Sequence, residues 1–145
     1  AGWRNGMTEM QQTYQTKLAG LLAVLFLCAG CGDDGRPARY PVSGTLKSTD
    51  GSPLAHSTIM FRSVEGNLIA RARVFPDASF QLTTFDKYDG AVAGTHRVQI
   101  MPFQNADGSF GIPLKRKYLK YDTSELEYEV SSEEDNQFDI VVELR

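Results

Sequence analysis

Side chains suited to acid–base or metal chemistry are scarce in this sequence. There are two histidines, His56 and His96, 40 positions apart. An imidazole near neutral pH either moves a proton or ligates a metal. A zinc site needs three or four ligands, and no second His or Cys stands at ligand spacing from either. His56 falls in a turn. His96 falls on the inward register of a strand, where a buried, hydrogen-bonded imidazole is expected. There is no Gly-x-Ser-x-Gly nucleophile elbow, no Walker pattern and no dinucleotide glycine pattern. Asp86 and Asp89 share one loop, and Glu133-Glu134-Asp135-Asn136 form another. Calcium takes six to eight oxygens at tight alternating spacing, and neither run has that pattern. Both read as solvated turns, and no metal or cofactor is expected.

Residues 103 to 121 can do a different kind of chemistry, recognition. Lys115, Arg116 and Lys117 form a basic patch with Lys120, interleaved with Tyr118 and Tyr121 and flanked by Phe103 and Phe110. Cations beside aromatic rings on a loop can dock an acidic partner, a glycan or a lipid headgroup. The plainer reading is a solvated loop that packs Tyr118 down over the open end of the core.

Cys31 offers a third chemistry, covalent lipidation. Lys17 precedes an apolar run of twelve residues, Leu18 to Ala29, interrupted only by Gly20. That run is too short to cross a bilayer, which needs about 20 residues. It has the length and flanks of a signal-peptide core. Ala29 and Gly30 put small residues before Cys31, whereas Cys28 follows bulky Leu25-Phe26-Leu27. The segment resembles a bacterial lipoprotein signal with Cys31 as the lipidated residue, although Cys28 stands where that pattern usually has Leu. An ordinary secretory signal cut near Gly30, or a buried helical hairpin, is the competing reading. Met7 and Met10 are candidate initiators. The expected organisation is a signal peptide over 1–30, a lipidated tether over 31–39 and one domain over 40–145. A mature chain starting at Cys31 has no second cysteine and therefore no disulfide.

The whole chain has 15 Lys and Arg against 18 Asp and Glu. From Gly32 onward the counts are 13 and 17, a net of −4. So mild an acidic balance argues against a nucleic-acid partner, which would require a basic face. No second apolar run and no repeat occurs.

The elements that must carry these residues alternate with period two. Strands are expected at Val42–Lys47, Ser57–Arg62, Leu68–Val74, Ser79–Thr83, Thr95–Met101, Glu125–Val130 and Gln137–Leu144. The expected inward residues include Leu46, Ile59, Phe61, Phe80, Leu82, Val98, Ile100, Val130, Ile140 and Val142. Turn chemistry separates the runs, as in Asp50-Gly51-Ser52-Pro53 and Pro76-Asp77-Ala78. Seven short strands, each with one buried and one wet face, point to a sandwich.

Four runs resemble the carboxypeptidase regulatory-like, transthyretin-like domains. These are Val42-Ser43-Gly44-Thr45-Leu46 with Gly51-Ser52-Pro53-Leu54-Ala55, then Asp77-Ala78-Ser79-Phe80-Gln81-Leu82, then Ala93-Gly94-Thr95-His96-Arg97-Val98-Gln99-Ile100. His56 and Ser79 stand where that family usually has Gly, and His96 where it has Tyr. The resemblance implies an all-β, seven-stranded antiparallel sandwich of Ig-like, transthyretin-like type. It informs fold more than activity. Two enzyme families sharing the sandwich do not fit. Hydroxyisourate hydrolases end in Tyr-Arg-Gly-Ser, where this sequence reads Val142-Glu143-Leu144-Arg145. Intradiol dioxygenases hold iron through His-x-His, which is absent. The expectation is a non-enzymatic, membrane-anchored lipoprotein of the bacterial envelope, facing the periplasm or exterior. It would meet an envelope protein as an interaction or scaffold module. A glycan- or peptidoglycan-binding module using Tyr88 and the loop aromatics is the alternative, and a metal-dependent enzyme around a histidine the remote one.

Overall fold

Alternating apolar side chains over Val42–Ser48 make β1, with Val42, Gly44, Leu46 and Ser48 buried and the residues between them turned outward. The same period shapes β2 (Thr58–Ser63), β3 (Ile69–Arg73), β4 (Ser79–Gln81), β5 (Gly94–Met101), β6 (Glu127–Val130) and β7 (Asn136–Val142). The computed structural model describes residues 35–145. The lipidation segment, including Cys31, lies outside the described residues. Pro37–Arg145 form one unit.

The strands divide into a three-stranded sheet, β4-β1-β7, and a four-stranded sheet, β3-β2-β5-β6. This is an all-β sandwich, and each strand begins and ends within about three residues of where the alternation puts it. One expectation is corrected. β1 and β7 run parallel, from Val42 opposite Asn136 to Ser48 opposite Val142. The sheets are therefore mixed, not wholly antiparallel. Parallel neighbours need a long connection between them. Here the rest of the domain supplies it, so the last strand closes beside the first.

The two inner faces meet around Phe61, which is fully buried. Its ring centroid lies 6.3 Å from Phe80, 6.1 Å from Phe138 and 5.9 Å from Tyr128. Burying one such side chain contributes about 1.5–3 kcal/mol, so this cluster is the main tie between the sheets. Gly44 lets it close. A Cβ there would sit 2.8 Å from Phe80 Cζ and closer still to the Phe138 carbonyl. The turn after β6 is fixed by buried Asn136. Its Oδ1 accepts the Ser131 N–H at 2.7 Å, while its Nδ2 donates to the Ser131 and Pro41 carbonyls.

Candidate functional site

Two regions hold the candidate residues, a connection between strands and a seam between the sheets. The first, between β5 and β6, contains the recognition residues expected from sequence. Gln104 and Phe110 pair across a tight turn in which Asp107 accepts the Ser109 N–H at 2.9 Å and its hydroxyl at 2.6 Å. These two donors hold the Asp107 carboxyl below its ordinary range. The far end of the Phe103 ring reaches Gly111, where any Cβ would run into it. Phe103 and Phe110 remain 37% and 38% exposed, at the base of a stiffened hairpin whose turn is 105–109.

The basic part of the segment is mostly committed to structure. Lys115 pairs with Glu143, next to the bridge between Leu114 and Leu144. Lys117 Nζ lies 2.7 Å from Glu125 and 5.1 Å from the Tyr118 ring centroid. The hydrogen bond from Lys117 holds the Glu125 carboxyl low and the ammonium high. Tyr118 sits in a single 3-10 turn, Arg116–Leu119, and is 5% exposed. Its hydroxyl accepts the Glu143 N–H at 3.3 Å. Tyr118 is thus the plug over the core, the plainer of its two readings. Tyr121 is half-buried under the Arg62 guanidinium, 4.3 Å above its ring centroid, and burial raises its phenol pKa. Arg116 and Lys120 turn outward and line a shallow groove with Leu119 and Thr123. The expected patch is therefore divided: Phe103 has His56 as its ring neighbour at 6.2 Å, while the cations engage Glu125, Glu143 and Tyr118.

The two histidines separate in the same way. His96 is 1% exposed, and its Nδ1–H donates to the Gly94 carbonyl at 2.9 Å. Burial pushes its pKa down, against that hydrogen bond and the Glu129 carboxylate. This matches the buried, satisfied imidazole expected for a strand residue. His56 is exposed in a left-handed turn, φ 64°, with Nδ1 3.5 Å from an Arg73 guanidinium nitrogen. Among the described residues no three His, Cys, Asp or Glu side chains gather where they could hold a metal ion. Asp86 and Asp89 do share a loop, but Asp89 turns inward to bind backbone N–H groups.

In the second region, Tyr88 is the one residue that the sequence marks for recognition, as a stacking ring of the glycan-binding alternative. β3 and the stretch after β4 meet at the Arg71–Thr83 bridge, where each backbone N–H donates to the other residue's carbonyl at 2.9 Å. Beside this seam runs an open groove of about 440 Å³, lined by Thr58, Arg71, Arg73, Phe75, Gln81 and Tyr88. In sequence, Arg71 and Arg73 read only as the wet face of a strand. Their nearness to Tyr88 depends on the seam between the two sheets. The signal present in sequence is two arginines two apart, without a nearby acid on the same strand.

Among the described residues no helix is long and apolar enough to cross a membrane. No family model, curated protein or solved structure matches this chain.

Proposed function

We propose that this chain is a non-enzymatic lipoprotein of the bacterial cell envelope, anchored through Cys31, whose β-sandwich acts as an interaction or scaffold module. The order of segments along the chain carries this reading. Lys17, the apolar run Leu18–Ala29 and the small pair Ala29-Gly30 lead into Cys31. A short polar stretch then leads to Tyr40 and β1. Single lipid chains hold a membrane only weakly, so stable anchoring on this reading requires a multiply acylated Cys31.

The finer reading of the sandwich is a carboxypeptidase regulatory-like, transthyretin-like domain. The tight approach at Gly44 gives its Val-Ser-Gly-Thr-Leu run a packing reason. The left-handed φ of His56 explains why Gly would be favoured at that position. Recognition is assigned to the exposed base of that hairpin at Phe103 and Phe110, with Arg116 and Lys120 as the outward cations. Lys115, Lys117, Tyr118 and Tyr121 hold that surface in shape.

Membrane fractionation tests the anchor. The full chain should sediment with membranes and Cys31→Ser should be released; unchanged fractionation removes the lipoprotein reading. Cross-linking in intact cells tests the module. One dominant protein joined through residues 103–121 supports it, and adducts spread evenly over the domain count against it.

A further inference from the structure

The groove at the seam between the sheets has the chemistry of an anion site with a stacking wall, and the geometry points to a carboxylate-bearing saccharide as its ligand. This goes beyond the hairpin-centred reading above and stands without it.

The cations are the first ground. Among the described residues Arg71 has no ion pair or side-chain hydrogen bond, and the side-chain partner of Arg73 is the His56 ring at 3.5 Å. Three other arginines of the sandwich are engaged by acids: Arg39 by Asp89, and Arg62 and Arg97 by Asp122. In a chain of net charge −3, two guanidiniums left open on one face of one strand are conspicuous. Each presents a planar fork of donors that fits a carboxylate bidentately. Lys87 adds a third cation, 4.9 Å over the Tyr88 ring.

The walls are the second ground. Tyr88 and Phe75 are 44% and 42% exposed and line the same groove as the arginines. Tyr88 is held at φ 63°, a conformation that costs about 1–2 kcal/mol for an L-residue. It is fixed there because its N–H donates to Thr83 Oγ1 at 3.0 Å, in a loop tied together by Asp89. His56, beside Arg73, is left-handed too. Backbone strain that the surroundings over-determine gathers at ligand clamps. Gln81 and Thr58 supply neutral donors and acceptors suited to hydroxyl groups.

A saccharide fits better than an acidic peptide strand. A peptide adds to a sheet by pairing with an open edge. At this groove the Arg71 N–H and C=O are already occupied by Thr83. A ligand here must be recognised by side chains, as a sugar is, with ring stacking and a charged substituent.

Calorimetric titration of the full chain in detergent tests this, with oligogalacturonate and a muramic-acid disaccharide as probes and the methyl ester of whichever acid binds as the uncharged control. At least one acid should bind saturably. Arg71→Gln and Arg73→Gln should each weaken it about tenfold or more, in line with loss of a charge-assisted hydrogen bond. The ester should bind at least tenfold more weakly than its acid, and Tyr88→Ala should weaken acid and ester alike. All three residues are on the surface, and unchanged thermal unfolding of each variant shows that the fold is kept. The proposal is overturned if neither acid binds, if ester and acid bind equally, if Arg71→Gln leaves binding intact, or if an oligoglutamate peptide binds as tightly as the saccharides.

Discussion

The Arg39 Nε donates to the Asp89 carboxylate at 3.2 Å, joining the segment that leads into β1 to the loop after β4. Asp89 is the hub of that loop. Its two oxygens also accept the N–H groups of Thr84 at 2.7 Å, Phe85 at 3.1 Å and Asp86 at 3.0 Å. The same loop carries Tyr88 to the groove, so a structural carboxylate sets the position of a recognition side chain.

Replacing that carboxylate should therefore loosen the loop and lower stability. Asp89→Asn keeps the shape but loses the charge and turns one acceptor into a donor facing N–H groups. The expected loss is about 1.5–3 kcal/mol at neutral pH, the worth of hydrogen bonds to a charged group. Burial raises the Asp89 pKa, but the backbone donors and Arg39 outweigh it, and the folded value is lowered. The contribution is thus complete above the unfolded carboxylate value near 3.9 and lost as pH falls through the lower folded one. Urea unfolding of the two proteins should show a gap at pH 7 that narrows as the pH falls below the unfolded carboxylate value of about 3.9. A gap independent of pH would mean that Asp89 acts through shape alone.

His96 should make the domain acid-sensitive in a different window. Its folded pKa lies below the unfolded value near 6.5, because burial disfavours the imidazolium. Between the two values the unfolded chain binds more protons, so stability rises with pH there. It is fully present above about pH 6.5 and declines below. His96→Phe keeps an aromatic ring next to Phe61, whose centroid is 6.2 Å away, and removes the titration. Thermal unfolding between about pH 7.5 and pH 5 should slope for the natural chain and flatten for the variant. Equal slopes would assign the acid sensitivity elsewhere.

The seven strands were legible because alternation is a local property. Ile59 and Phe61, Phe80 and Leu82, and Ile140 and Val142 each mark an inner face without reference to any other strand. Strand direction is not local, since a period of two reads the same for parallel and antiparallel neighbours. That is why the β1–β7 pairing differed from expectation. At the candidate site, the plug role of Tyr118 was visible as one of two readings. The partners of Lys115 and Lys117 were not, because Glu143 is 28 residues away and meets Lys115 only through the Leu114–Leu144 bridge. The arginine groove was hidden for the same reason: Arg71 and Tyr88 become neighbours through the pairing of Arg71 with Thr83.

Gly44→Ala should be among the most damaging single changes. The added methyl meets the β7 backbone at Phe138 and the Phe80 ring, neither of which can yield without parting the central strands. Overpacking usually costs about 1–3 kcal/mol, and the backbone obstacle puts this case at the upper end or beyond. Gly66→Ala is the matched control, because its nearest neighbour would be Ser63 Oγ at 3.8 Å. Denaturant midpoints should fall sharply for the first and stay within about 0.5 kcal/mol for the second. Equal midpoints would show that β1 and β7 can separate at little cost.

Ser57→Ala should leave stability unchanged or raise it. The Ser57 hydroxyl is fully buried at the entry to β2 and has no hydrogen-bond partner among the described residues. An unsatisfied buried hydroxyl costs about 1–3 kcal/mol, and removing it restores that at the expense of a very small void. A rise in the urea midpoint of up to about 1 kcal/mol equivalent is expected. A clear drop would show that the hydroxyl supports the chain in a way its surroundings do not reveal.

His56→Gly separates backbone strain from side-chain packing at the edge of the groove. At φ 64° the His56 Cβ crowds its own carbonyl, at a cost of about 1–2 kcal/mol that glycine avoids. Glycine gives back about 0.5–1 kcal/mol through the greater freedom of the unfolded chain. The substitution also removes the imidazole, which approaches Phe103 edge-on and Arg73 at 3.5 Å, two weak interactions at the surface. The balance is a gain of about 0.5 kcal/mol, or roughly 2 °C in Tm for a domain of this size. If Tm falls instead, the side chain of His56 holds Arg73 and the Phe103 hairpin more strongly than their geometry implies. The same variant should then also weaken acidic-saccharide binding, because the Arg73 guanidinium would lose the support that aims it at the groove.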